Sequence, residues 1–350
     1  MLRRLISSFL LMASIQVVAA GTGLFFDSRL DAAVRTELGI EDRALEERDL
    51  ERLEHLEAVG LEIAYLDGIE RCVNLRTLDL RENRVRDVSP LAGLRQLETL
   101  ILRSNLVTDV SALAGLKALH HLDLDFNSIE DVTPLAGLTE LRWLGLWNSR
   151  IRDIRPLGHL VELEELGLSG CPIEDTAPLS GLVHLTWLGL PNTGIEDLDF
   201  LEPLTSLVKL SLGGNRISDL GPLAGLTSLE GLGLDSNRIV DISPLAGLHE
   251  LRRLSLWGNR IENVEPLRDL TALEQLWLDR NPLVDVSILE GFPQLRILGL
   301  SETLVSDLSP LAANAGLGSG DRVDLRGLSI DAEATRIIED LRRLGVEVLD

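Results

Sequence analysis

Leu119–Glu140 reads LHHLDLDFNSIEDVTPLAGLTE. Starting 22 residues later, at Leu141, the text is LRWLGLWNSRIRDIRPLGHLVE; starting 22 earlier, at Leu97, it is LETLILRSNLVTDVSALAGLKA. The leucines return at fixed places while the residues between them vary. A fixed period of this size marks a solenoid, in which each unit buries its apolar face only by stacking on its neighbours. The first leucine of LxxLxLxxN falls at Leu75, Leu97, Leu119, Leu141, Leu163, Leu185, Leu207, Leu229, Leu251, Leu273 and Leu295, with no insertion. A degenerate unit precedes them, with Leu53, Leu56, Ile63, Leu66, Ile69 and Cys72 at core positions. The repeats therefore occupy 53–314 as about twelve units.

Each unit has two halves. In Leu119–Phe126 the alternation of a strand sends Leu122 and Leu124 inward and His121, Asp123 and Asp125 outward. Successive strands are expected to pair in parallel as one concave sheet. Asn127 then turns the chain, its buried amide bonded to neighbouring backbone. This ladder reads Asn83, Asn105, Asn127, Ser149, Cys171, Thr193, Asn215, Asn237, Asn259, Asn281, Thr303, lapsing in the middle three units. In the second half Ile129, Val132, Leu135 and Leu138 pack inward, and Asp131 is expected to bind turn N–H groups. Thr133-Pro134 has the form of an N-cap followed by Pro at N1, so the convex side should carry 3₁₀ or one-turn helices.

The motif LxxLxLxxNxIxDVSPLAGL, cleanest at Leu229–Leu248, resembles the 22-residue leucine-rich repeats of bacterial internalin-like proteins. The resemblance covers nearly everything after residue 23. It implies a right-handed α/β repeat solenoid with a parallel concave sheet and ligand binding on that face, usually of a protein. The same repeat class occurs in cytosolic phosphatase-regulatory subunits, which is the expectation if the N-terminal segment is retained. Internalins often add an immunoglobulin-like domain and a cell-wall anchor, and neither pattern is visible in this sequence.

Met1–Ala20, MLRRLISSFLLMASIQVVAA, has a positive start, an apolar run and small residues for cleavage. That is the pattern of a secretory signal peptide, which implies a secreted or periplasmic protein. No apolar stretch is long enough to span a membrane. Residues 21–52 are expected to form a helical cap, with Leu30, Ala33, Val34 and Leu38 at helical spacing and a second short helix through Ala44–Leu53. Asp27 or Ser28 can cap the first helix and Gly39 can end it. A cap is required because the first coil would otherwise expose its core. Residues 315–350 form the closing cap: a strand at Val323 and Leu325, a helix over Ala332–Leu344, and a last strand at Val346 and Val348. GLGSG at 316–320 does not open a helix, so it is not read as a phosphate loop. Cys72 and Cys171 lie between four and five units apart, roughly 20 Å at strand spacing, beyond disulfide reach.

The formal charge of -23 disfavours nucleic acid and acidic membrane surfaces as partners. All five tryptophans, Trp143, Trp147, Trp187, Trp257 and Trp277, occupy outward strand positions. Aromatic groups on such a face mark a binding surface. The middle outward column reads Asp79, Ile101, Asp123, Gly145, Gly167, Gly189, Ser211, Gly233, Ser255, Trp277, Gly299. Its small residues suggest the floor of a trough with indole walls, open to an extended ligand. A protein partner would use Arg81, Arg103, Glu164, Glu165 and Arg253 as rim contacts; a glycan would stack on the rings. His121, Asp123, Asp125 and Phe126 border this trough. No second histidine or carboxylate cluster completes a metal site at His121, Asp123 and Asp125, so they read as a solvated polar strip. No nucleophile, base and orienting group come together, so neither a catalytic site nor a cofactor is expected.

Overall fold

The computed structural model describes residues 23–350. The expected leader, 1–20, lies outside the described residues. Each unit contributes a strand of three residues, from His55–Glu57 and Thr77–Asp79 through His121–Asp123 and Trp143–Gly145 to Ile297–Gly299. They pair in parallel in chain order, and Leu100, Leu122, Leu144 and Leu166 stand opposite one another at 22-residue offset. Arg322–Asp324 and Glu347–Leu349 join at a 25-residue offset. The result is a single 14-stranded sheet among the described residues.

The inward leucines form one continuous aliphatic core; Leu122, Leu124, Leu135 and Leu138 are all fully buried. Removing one such side chain costs about 2–5 kcal/mol in a well-packed interior. The convex side carries 3₁₀ turns such as Thr133–Gly137 and Ser243–Gly247. Their start differs from the expected cap. Thr133 is the first residue of its turn and Pro134 the second, and no side chain at Val132 caps it. The capping oxygen comes from further upstream: Asp131 accepts the Thr133 N–H at 2.8 Å, as Asp87 does for Ser89 and Asp241 for Ser243. The recurrent aspartate is thus a turn device, and proline follows where a missing N–H costs nothing.

The asparagine ladder ties coil to coil. Asn127 Nδ2 donates to Leu102 and Leu124 carbonyls at 2.9 and 3.0 Å, and its Oδ1 accepts the Val107 N–H at 2.9 Å. The middle replacements do less. Thr193 Oγ1 donates to the Leu190 carbonyl of its own coil, Cys171 Sγ to Leu146 of the preceding one, and Ser149 Oγ has no partner. The residue before each ladder position turns with positive φ, at Glu82, Ser104, Phe126, Asn148, Gly170, Asn192 and onward. Phe126 is the one aromatic among them.

At the entry, the helix Ser28–Leu38 starts at Asp27, whose carboxylate accepts the Arg29 N–H, and stops at Gly39 with φ 65°. Leu30, Val34 and Phe25 cover the first coil, whereas Phe26 faces solvent against Tyr65. The second helix is shorter than expected, Glu47–Leu50; its start is fixed by Asp49, which accepts the Glu46 N–H and pairs with Arg43. At the exit, the helix Ala332–Arg343 lays Ile337, Ile338 and Leu341 on the last coil. The Gly318 N–H of the GLGSG stretch donates to the Asp321 carboxylate at 2.7 Å, and a strand follows.

Candidate functional site on the concave face

The strand Trp143–Gly145 lies between His121–Asp123 and Glu165–Gly167, so His121, Trp143, Glu165 and Trp187 follow one another along the first outward column. All five tryptophans are half-buried. The Trp143 indole stacks on the His121 imidazole, centroids 4.3 Å apart and planes 11° apart. Trp147 meets Trp187 at 6.1 Å with a 33° tilt.

The rings do not stand as walls beside an empty floor. A Cβ at Gly145 would lie 2.6 Å from Trp143 Cη2, one at Gly167 2.0 Å from Trp147 Nε1, and one at Gly189 2.8 Å from Trp187 Cη2. The indoles lie across these three glycines, whose lack of a side chain permits the close approach. The trough expected along this column is therefore paved over at Gly145, Gly167 and Gly189.

The strip at His121, Asp123 and Asp125 is also not solvated. Asp125 is 1 % exposed and Asp123 8 %. Asp125 Oδ1 accepts the Trp147 N–H at 2.8 Å, its Oδ2 pairs with Arg103 at 2.8 Å, and Asp123 accepts the Asp125 N–H at 3.0 Å. The Arg103 guanidinium in turn lies 4.8 Å from the Phe126 ring centroid. The tryptophans and Arg103 exclude water from both carboxylates, which reverses the expectation drawn from their outward positions. Burial pushes Asp125 up to about 6, aided by the Asp123 charge and opposed by the Trp147 N–H and Arg103. Burial likewise raises Asp123 and lowers His121. Among the described residues no three His, Cys, Asp or Glu side chains gather as a metal-binding group.

The remaining residues sit as follows. Glu165 is exposed between Trp143 and Trp187. Of the other expected rim groups, Arg81 is held by Asp79 and Glu164 by Arg142. Trp257 lies 5.1 Å under the Arg280 guanidinium. Asp279 repeats the Asp125 device: it accepts the Ser301 N–H at 2.9 Å and lies over Gly299. Trp277 and Arg253 border a shallow depression beyond Trp187, together with Lys209. Lys209 and Arg280 were not singled out from the sequence. Lys209 follows Trp187 in the same outward column, which is the pattern that could have found it.

A family model described as leucine rich repeats (2 copies) matches residues 95–137, 183–225, 205–247, 227–269 and 249–291. The intervening stretch, 138–182, contains Ser149 and Cys171, where the ladder asparagine is lost. A solved internalin from Listeria monocytogenes is 31% identical with a TM-score of 0.75, the match covering 84% of this chain and 94% of that one. A leucine-rich repeat protein from Leptospira interrogans shares the fold at 23% identity and TM-score 0.73, over 80% and 74% of the two chains. The Arabidopsis receptor kinase HAESA, solved in complex with a peptide hormone and a co-receptor, shares it at 18% identity and TM-score 0.68, over 84% and 57%. A search of curated proteins returns no match.

Proposed function

The chain belongs to the internalin-like family of leucine-rich repeat proteins, and on that premise we propose that it is an exported, non-catalytic recognition protein. It engages a protein partner through the concave face around Trp143, Trp147 and Trp187, extended by Trp257 and Trp277. One observation carries this reading: every tryptophan of the chain stands on that face, half-buried, while the core is almost wholly aliphatic. Tryptophan is enriched where binding energy concentrates, since it offers large apolar area and a polar N–H. Here the rings are held by glycines and by His121, so little side-chain freedom is lost when a partner covers them. The peptide-hormone complex of HAESA supports the use of such a solenoid for a polypeptide ligand.

Replacing Trp143→Ala together with Trp147→Ala removes two of the five rings without touching a core leucine. Partner capture by the native protein should be lost in the double variant, with the far-UV dichroism unchanged. Unaltered capture would sink the reading. A glycan is the second reading, favoured by the flat indole surface over Gly145, Gly167 and Gly189. It is tested by titrating polysaccharides while following tryptophan fluorescence. Export rests on the leader-like Met1–Ala20. Among the described residues no helix is long and apolar enough to cross a membrane. Sequencing the native N-terminus decides between export and the intracellular, phosphatase-regulator type of role, which requires residues 1–20 to be retained.

A further inference from the structure

Beyond Trp187 the floor of the concave face opens. Gly145, Gly167 and Gly189 lie under indole rings, but Gly231 and Gly233 do not: a Cβ on either would meet its nearest neighbour at 3.6 and 3.4 Å, ordinary contact distances. With Ser211 and Ser255 they floor a depression of about 250 Å³ between Trp187 and Trp277. Lys209 and Arg253 stand on either side of Gly231, in strict register with it.

Both cations are exposed. Nearby Arg142 and Arg252 pair with Glu164 and Glu274, but Lys209 and Arg253 have no carboxylate partner among the described residues. Two cations without a salt-bridge partner around a floor of glycine and serine run against the trend of a chain with net charge -23, with the Asp235 carboxylate at the edge of that floor, 3.8 Å from a Cβ at Gly233. Their backbones are two rungs apart, about 10 Å, which two long side chains can close on one carboxylate. Trp187 and Trp277 are four rungs apart, about 19 Å, the length of five or six residues of extended chain. The order along the depression is apolar, cationic, apolar. A polypeptide can match that order residue by residue, whereas an oligosaccharide repeats one chemistry along its length.

We propose that this depression seats an extended polypeptide segment, with an Asp or Glu carboxylate between Lys209 and Arg253 and apolar side chains against Trp187 and Trp277. The proposal rests on the reading of the concave face as a protein-recognition surface and adds the chemistry of the contact. The test is selection of a random linear peptide library on the full chain, followed by titration of a synthetic copy of an enriched sequence. Enriched sequences should carry an acidic residue flanked by apolar ones. The synthetic peptide should lose at least tenfold in affinity for the Lys209→Glu, Arg253→Glu double variant. It should lose as much for Gly233→Val, which fills the floor where the fold has room. Enriched peptides without an acid, equal affinity for these variants, or no enriched peptide at all overturns the proposal. If the peptides are indifferent to these variants but lost with Trp143→Ala and Trp147→Ala, the depression is wrongly assigned and protein recognition stands. If no peptide is enriched while oligogalacturonate quenches the tryptophans in a Lys209- and Arg253-dependent way, both readings fail.

Discussion

The buried carboxylate of Asp125 accepts the backbone N–H of Trp147, one coil along, at 2.8 Å. The same carboxylate holds Arg103, and Arg103 covers the Phe126 ring. An acid under the indoles thus joins the polar edge of the concave face to its aromatic part. Because it is buried, its charge is costly, and that cost depends on pH.

Burial raises Asp125 from 3.8 to about 6. Between those values the folded chain retains a proton that the unfolded chain releases. Its contribution to stability is therefore fully present below about pH 4 and is lost as pH rises through about 6. Asp125→Asn keeps the shape and an acceptor oxygen but cannot ionise. Relative to wild type, the variant should gain about 2–3 kcal/mol between pH 4 and pH 7. Carboxylates other than Asp123, whose charge acts on Asp125, are common to both proteins and cancel. Urea midpoints at the two pH values measure the difference, and parallel pH profiles would rule the assignment out.

Two glycines in the same outward column should respond in opposite ways. Gly167→Ala places a methyl 2.0 Å from Trp147 Nε1 and must displace the ring that packs beside Trp187, whereas Gly233→Ala meets only an ordinary 3.4 Å contact with Ser211 Oγ. The first should cost about 1–3 kcal/mol and change the near-UV dichroism of the Trp147–Trp187 pair. The second should leave both within error. Indistinguishable spectra for the two variants would mean that the rings do not rest on the floor.

The fold was legible because it depends on periodicity. The 22-residue return of leucine dictates which positions face the core, and alternation places every tryptophan on the outer face. The site was legible only in part, because an outward position says where a side chain starts and nothing of where it ends. Gly145, Gly167 and Gly189 read as an empty floor, yet they are the footing of three rings. Asp125 read as solvated, since a charged residue on an outer face usually is; Arg103 and the neighbouring indoles bury it. Lys209 carries no signal of its own in the sequence; the strand register sets it across Gly231 from Arg253.

The ladder makes its own prediction. Asn127→Ala deletes the amide's donated contacts to three carbonyls, those of Leu102, Leu124 and Asp125, and one accepted bond in the core, and should cost about 2–3 kcal/mol. Ser149→Ala deletes a hydroxyl that has no partner and should change stability by less than about 0.5 kcal/mol. Chemical unfolding of the two variants side by side provides the comparison. An equal loss in both would show that coil-to-coil bonding is not what the asparagine supplies.

Phe126 sits at φ 56° and is 40 % exposed, at the turn position where other coils place glycine, Asn148 and Asn192, or the polar Glu82, Ser104, Ser236, Arg280 and Glu302. A bulky aromatic in the left-handed region is strained by about 1 kcal/mol or more, whereas asparagine tolerates it. Phe126→Asn relieves that strain but removes the Arg103 contact, which at an exposed site is worth about 0.5–1 kcal/mol. The two effects nearly cancel, so unfolding midpoints should move little in either direction. Folding therefore gives little reason for an aromatic residue at this turn, which fits the proposal that the ring meets a partner on the concave face. Partner capture should fall in Phe126→Asn by as much as in a single tryptophan variant. A variant that is clearly less stable than wild type, or one that captures the partner as well, would instead assign Phe126 to the fold.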